Sequence, residues 1–179
     1  VVPMTDYDKT TFRFNGEQKY GKLTVGANAA YSISNTTKTL TSAGLYNGGG
    51  NGTMTATYGW ARSDDMTHYL NEDGTKYRMF EGLQELASDV ENPYWIINMN
   101  ELTDNVDRFT GGINASLDLT EWFNILYRVG YDTYLSEAYT YIAPGGAVTE
   151  IYQDGRLSKS SSDYEFITSN LMLNFEKSL

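Results

Sequence analysis

Five stretches of this chain alternate apolar and polar residues with period 2, and this alternation constrains the fold more than any other feature. The second stretch is the cleanest. Leu23, Val25, Ala27, Ala29, Tyr31 and Ile33 share one parity, and Thr24, Gly26, Asn28, Ala30 and Ser32 share the other. Successive residues of a strand point to opposite faces, so the pattern predicts a β-strand with one apolar side. Phe12 and Phe14 alternate with Arg13 and Asn15 just before it, and Tyr20-Gly21-Lys22 joins the two runs as a hairpin turn. The pattern returns with Phe109, Ile113, Ala115 and Leu117 against Arg108, Asn114, Ser116 and Asp118. After a turn at 119–122 it continues with Phe123, Ile125, Tyr127, Val129 and Tyr131 against Asn124, Arg128 and Asp132. A last run sets Ile167, Leu171, Leu173 and Phe175 against Thr168, Asn170, Asn174 and Glu176, with Met172 out of pattern. Strands are therefore expected near 10–19, 23–33, 108–118, 123–134 and 164–176. At roughly ten residues each they exceed the five or six usual in soluble sheets, and about ten is enough to cross a bilayer at a tilt.

The polar parity is unusual for a solvated sheet. Thr, Ser, Asn and Gly dominate it where Lys and Glu would crowd a water-facing surface, which suits a hydrated lumen or a packed polar interior. Connection lengths alternate as well. Those at 20–22 and 119–122 are short, whereas 34–107 and 135–163 are long, and loops of that length are rare inside a compact domain. Short turns at one end and long loops at the other give the polarity of an outer-membrane barrel. Composition agrees, with 14% aromatic residues, 15 Tyr, 17 Gly and only 3 Pro. Rings gather at both strand ends. Tyr20, Trp122 and Phe123 lie by the short turns, and Tyr31, Phe109, Tyr131 and Tyr134 lie toward the long loops, as aromatic girdles would.

Several function classes are excluded. A net charge of −10 without a basic block argues against nucleic-acid binding. The absence of cysteine removes disulfides, thiol nucleophiles and thiolate metal sites. No apolar run reaches the ~18 residues of a transmembrane helix. His68 is the only histidine, so there is no HExxH motif, and nothing near it resembles a nucleophile elbow. Gly48-Gly49-Gly50-Asn51-Gly52 lacks the Gly-Lys-Ser/Thr ending of a phosphate loop. Asn71-Glu72-Asp73-Gly74 lacks the spaced ligands of a calcium loop. No catalytic residue, cofactor or metal is assigned. Within the long loop, Met79, Leu83, Leu86 and Val90 recur at helical spacing, predicting a short helix near 79–89 that Pro93 ends. Trp60, Tyr94 and Trp95 are the candidate ligand-stacking or loop-packing rings.

Asp6-Tyr7-Asp8-Lys9-Thr10-Thr11-Phe12-Arg13-Phe14-Asn15-Gly16 followed by Gly21-Lys22-Leu23-Thr24-Val25-Gly26-Ala27-Asn28 resembles a barrel hairpin of the SusC-like TonB-dependent transporters of Bacteroidetes. Asn92-Pro93-Tyr94-Trp95 with Asp104, then Asp107-Arg108-Phe109-Thr110-Gly111, is similar to another part of that family. Leu119-Thr120-Glu121-Trp122-Phe123 and Arg128-Val129-Gly130-Tyr131-Asp132 resemble the next hairpin. The resemblance implies an all-β fold of antiparallel transmembrane strands with long extracellular loops, part of a 22-stranded barrel with a plug. It further implies import of oligosaccharides or peptides, energised by the TonB complex and covered by a SusD-like surface lipoprotein, in the outer membrane of a Gram-negative bacterium. Residues 1–179 carry no plug sequence, no TonB box and no terminal aromatic, and five strands are fewer than the eight of the smallest barrels. The chain is therefore expected to be an internal piece of a barrel wall.

On this reading Val25, Ala27, Ile113, Ala115, Ile125 and Val129 face lipid, while Arg13, Asn28, Arg108, Asn114, Arg128 and Asp132 face the lumen. Two other readings compete. A soluble β-sandwich for adhesion or glycan binding requires further strands from 34–107. A glycan hydrolase requires paired acids such as Asp64, Glu85 or Asp89.

Overall fold

The computed structural model describes residues 2–40, 52–79, 91–145 and 154–176. The fold is all-β: five antiparallel strands in one sheet, with two short helices. The strands are β1 (Asp6–Tyr20), β2 (Leu23–Lys38), β3 (Glu101–Thr120), β4 (Phe123–Ile142) and β5 (Arg156–Phe175), and they neighbour one another in chain order. β1 and β5 are the edges. The helices are α1 (Thr53–Gly59) and α2 (Pro93–Met99).

All five expected strands are present, and each is longer than predicted at its long-loop end. β2 runs on to Lys38, β3 begins at Glu101, and β4 continues to Ile142. The connections at 34–107 and 135–163 shorten accordingly. The first turn follows from Gly21, which adopts φ +60° at the first central position of a two-residue loop, the conformation a type II′ hairpin turn requires. Backbone pairing fixes the β2–β3 register, with Asp118 N donating to Lys22 O at 2.9 Å. Glu176 N donates to Trp122 O at 2.9 Å at the same end of β4 and β5.

The chain divides into two compact units. One comprises Asp8–Ser34, Asn105–Glu137 and Ser161–Leu179, the turn-proximal part of the sheet. The other comprises Val1–Tyr7, Asn35–Asp104 and Ala138–Ser160, and holds both helices. Among its described residues, Ala56, Trp60, Trp95, Ile96, Ile97 and Ile142 are buried. A Lys76–Glu91 ion pair lies inside it, with side chains only 8% and 4% exposed. Lys76 Nζ also donates to Gly145 O at 2.9 Å and sits 5.1 Å from the Trp95 ring centroid.

Pro93 opens a helix that the sequence reading did not expect. Asn92 is the N-cap, its Oδ1 accepting from Tyr94 N at 2.8 Å and Trp95 N at 3.2 Å. Proline suits the first helical position because its missing N–H would be unpaired there anyway. The helix expected near 79–89 lies outside the described residues apart from Met79. No helix among the described residues is long and apolar enough to cross a membrane, which has no bearing on strands.

Candidate functional site

The turn-proximal sheet has two faces of different chemistry. All six residues expected to face a lumen lie on its polar face, placed there by strand alternation. Two of them bond directly. Arg108 Nε donates to Asp132 Oδ1 at 3.0 Å, and its Nη2 donates to Oδ2 at 2.6 Å. This fork-on-fork pair holds β3 to β4 and presents no net charge.

Glycine shapes the rest of this face. A Cβ on Gly26 would sit 2.6 Å from Asn114 Oδ1, and one on Gly112 would sit 3.0 Å from Asn28 Oδ1. A Cβ on Gly130 would sit 2.7 Å from Thr168 Oγ1. In each case a polar side chain lies across the gap that glycine leaves on the neighbouring strand. Toward the turns, Asn124 Nδ2 donates to Ser116 Oγ at 2.8 Å and Asp118 Oδ1 at 2.6 Å. A recess of about 740 Å³ opens here, lined by Lys19, Lys22, Asp118, Asn124, Asn174 and Glu176 among others. Arg13 and Arg128 also project from this face and are exposed.

The opposite face is apolar and uncovered. Ile113 is 60% exposed and Leu171 64%. Near the turns Phe123 and Phe175 stack at 4.5 Å, with Trp122 within 6.4 Å of both. The β2–β3 register sets Tyr31 opposite Phe109, and Phe109 lies 6.2 Å from Tyr131. Two polar cross-strand contacts interrupt this face between β4 and β5. The Tyr127 hydroxyl pairs with Ser169 Oγ at 3.0 Å, and Tyr131 donates to Glu165 Oε1 at 2.9 Å. Sequence reasoning missed both, because Glu165 and Ser169 sit at the parity of the apolar residues and read as breaks in the pattern.

The candidate stacking rings fare differently. Trp60 and Trp95 are 5% and 7% exposed and belong to the core of the helical unit, so neither offers a face to a ligand. Trp95 fills that role because α2 carries its apolar residues together and Lys76 covers the ring. Tyr94 is half-buried and lines an apolar pocket of about 230 Å³ with Met54, Met66 and Ile97.

Of the acids of the hydrolase reading, Asp64 lies among the described residues. Asp64 accepts from the Tyr77 hydroxyl at 3.1 Å, which pushes that phenol above its ordinary pKa. His68 stacks on Tyr77 at 4.3 Å. Glu85 and Asp89 lie outside the described residues. No group of three potential metal-ligating side chains occurs among the described residues. Comparison with known families and curated proteins finds no matching family model and no matching relative.

Proposed function

We propose that this chain is a wall section of an outer-membrane β-barrel transporter of the SusC-like, TonB-dependent kind, in a Gram-negative bacterium. The apolar face meets lipid, and the face carrying Arg13, Asn28, Arg108, Asn114, Arg128 and Asp132 lines the lumen. Further strands of a larger, 22-stranded barrel pair with the edges of β1 and β5. Oligosaccharide or peptide cargo passes inside, a SusD-like lipoprotein covers the outer mouth, and the TonB complex acts through other parts of the parent chain. No catalysis is assigned.

The observation that carries this reading is the pairing of an uncovered apolar face, fringed with rings, with a glycine-flattened polar face on the same strands. Soluble monomers rarely expose apolar patches beyond a few hundred Å². The soluble-sandwich reading needs a second layer over Ile113 and Leu171, and both are exposed.

The test is the size and membrane behaviour of the protein recovered from its source. The proposal expects a detergent-requiring species well above 20.1 kDa whose gel mobility shifts on boiling. A water-soluble species of 20.1 kDa with no shift overturns it and favours the sandwich.

A further inference from the structure

The apolar face does not run the length of the strands. On β3, Ile113, Gly111 and Phe109 give way to Asp107, Asn105 and Thr103. On β5, Leu171 and Ile167 give way to Glu165, Asp163 and Ser161. On β4, Val129 and Tyr131 are followed by Thr133 and Glu137, with Leu135 the one apolar residue between. On β2 the change comes after Ile33, at Asn35 and Thr37. Counting back from the turn at Gly21, β1 changes from Phe12 to Thr10 and Asp8. Four strands thus switch from apolar to polar on one face within about two residues of one cross-strand row, marked by Tyr31, Phe109 and Tyr131, and on β4 the same row is where Thr133 and Glu137 begin to interrupt Leu135, Tyr139 and Tyr141.

We propose that a lipid bilayer contacts this sheet only between that row and the row of Leu23, Leu117, Phe123 and Phe175. The Tyr131–Glu165 hydrogen bond then lies at the level of the outer headgroups, and the strands continue past it into water. The inference rests on the membrane reading above and assigns its depth.

Two arguments converge. The rows are eight residues apart on β2 (23 to 31) and on β4 (123 to 131), about 26 Å along a strand. At a tilt of about 35–45° that is roughly 20 Å along the membrane normal, close to the apolar band of about 25 Å once the rings of both rows are included. Charge sets the upper limit. A carboxylate facing hydrocarbon is costly, whereas at the interface Glu165 keeps water and the Tyr131 hydroxyl.

The absence of cysteine from this segment makes the test direct. Single cysteines replace Ala27, Ile113 and Val129 below the row and Asn105, Glu137 and Asp163 above it. They are introduced into the full-length parent, cysteine-free elsewhere, in native outer membranes, with boiling shift confirming each fold. A membrane-impermeant maleimide should label the lower three more slowly than the upper three by an order of magnitude or more, because the first are shielded by hydrocarbon. Protection of Asp163→Cys and Glu137→Cys equal to that of Ile113→Cys, in a protein that stays membrane-bound, overturns this depth while leaving the barrel reading intact. Rapid labelling of all six in a protein released by carbonate wash overturns both.

Discussion

The Lys76–Glu91 pair offers a perturbation whose size follows from the structure. Both side chains are almost wholly buried, so each charge has exchanged water for contacts within the protein. At contact distance and an effective dielectric constant near 20, the attraction is about 4 kcal/mol. Glu91→Gln removes that attraction from the Lys76 ammonium, which also meets the Gly145 carbonyl and the Trp95 ring. The expected cost is about 3–5 kcal/mol, the usual penalty for breaking a buried pair from one side. Lys76→Met removes the same attraction from Glu91, whose Oε1 also accepts from Asn92 N at 3.1 Å, and should cost a similar amount. The double variant Lys76→Met, Glu91→Leu removes both charges, and its cost should fall to about 1 kcal/mol or less. Hydrogen exchange at Tyr94, Trp95 and Ile96 reads the local opening free energy in the intact protein. Single and double variants with simply additive losses, or singles costing under about 0.5 kcal/mol, would refute the claim that the pair is a coupled, desolvated unit.

Three further perturbations probe the sheet and its loops. On the proposed membrane reading, Ile113→Arg places a charge on the lipid-facing side and should block assembly at a cost of about 2–4 kcal/mol. Asn114→Ala, one residue away on the other face, should assemble normally by boiling shift, and equal mild effects at both positions would sink the face assignment. Gly130→Ala should destabilise by about 1–3 kcal/mol, because its Cβ would lie 2.7 Å from the stiff Thr168 side chain. Adding Thr168→Ala should recover most of that loss in denaturant titration, whereas no recovery refutes the clash. Asp73 accepts from Thr75 N at 2.9 Å and Thr75 Oγ1 at 2.6 Å, which holds its pKa below the ordinary carboxylate value. A depressed pKa stabilises the folded turn above the ordinary carboxylate pKa, and that stabilisation is lost as pH falls through the depressed value. Thr75→Val should therefore raise the Asp73 pKa and move the loss to higher pH, and an unchanged NMR titration would show that the hydroxyl is irrelevant.

Hydrophobic alternation made the sheet legible and also set the limit of that legibility. Each predicted strand stopped near the row where its apolar face stops, as at Ile33, Arg108 and Tyr134, while the strands themselves run on to Lys38, Glu101 and Ile142. Beyond that row the alternation fades: β2 ends Ser34-Asn35-Thr36-Thr37-Lys38, polar on both parities, and a strand polar on both sides has no period to detect. α2 had a local signal that the sequence reading did not use. Asn92-Pro93 is an N-cap followed by proline at the first helical position, yet proline after an apolar stripe also reads as a stop. Trp60 and Trp95 were visible as rings in a long loop, but only packing distinguishes a buried ring from an exposed platform. The six polar-face residues needed nothing but parity. The Arg108–Asp132 fork needed the β3–β4 register, which no single strand specifies.

The two open edges have a kinetic meaning. Along β1 and β5, alternate backbone amides and carbonyls point away from the sheet. Water satisfies these groups, but hydrocarbon does not, and each unpaired group there costs several kcal/mol. On the membrane reading, the sheet therefore cannot enter the bilayer first and recruit its neighbours later. Insertion and strand closure have to be a single event, in which each edge passes from water to a partner strand without a stop in lipid. The order in which strands are delivered would then be dictated by backbone hydrogen bonding, and a machine that chaperones such an edge would have to offer it a temporary strand of its own.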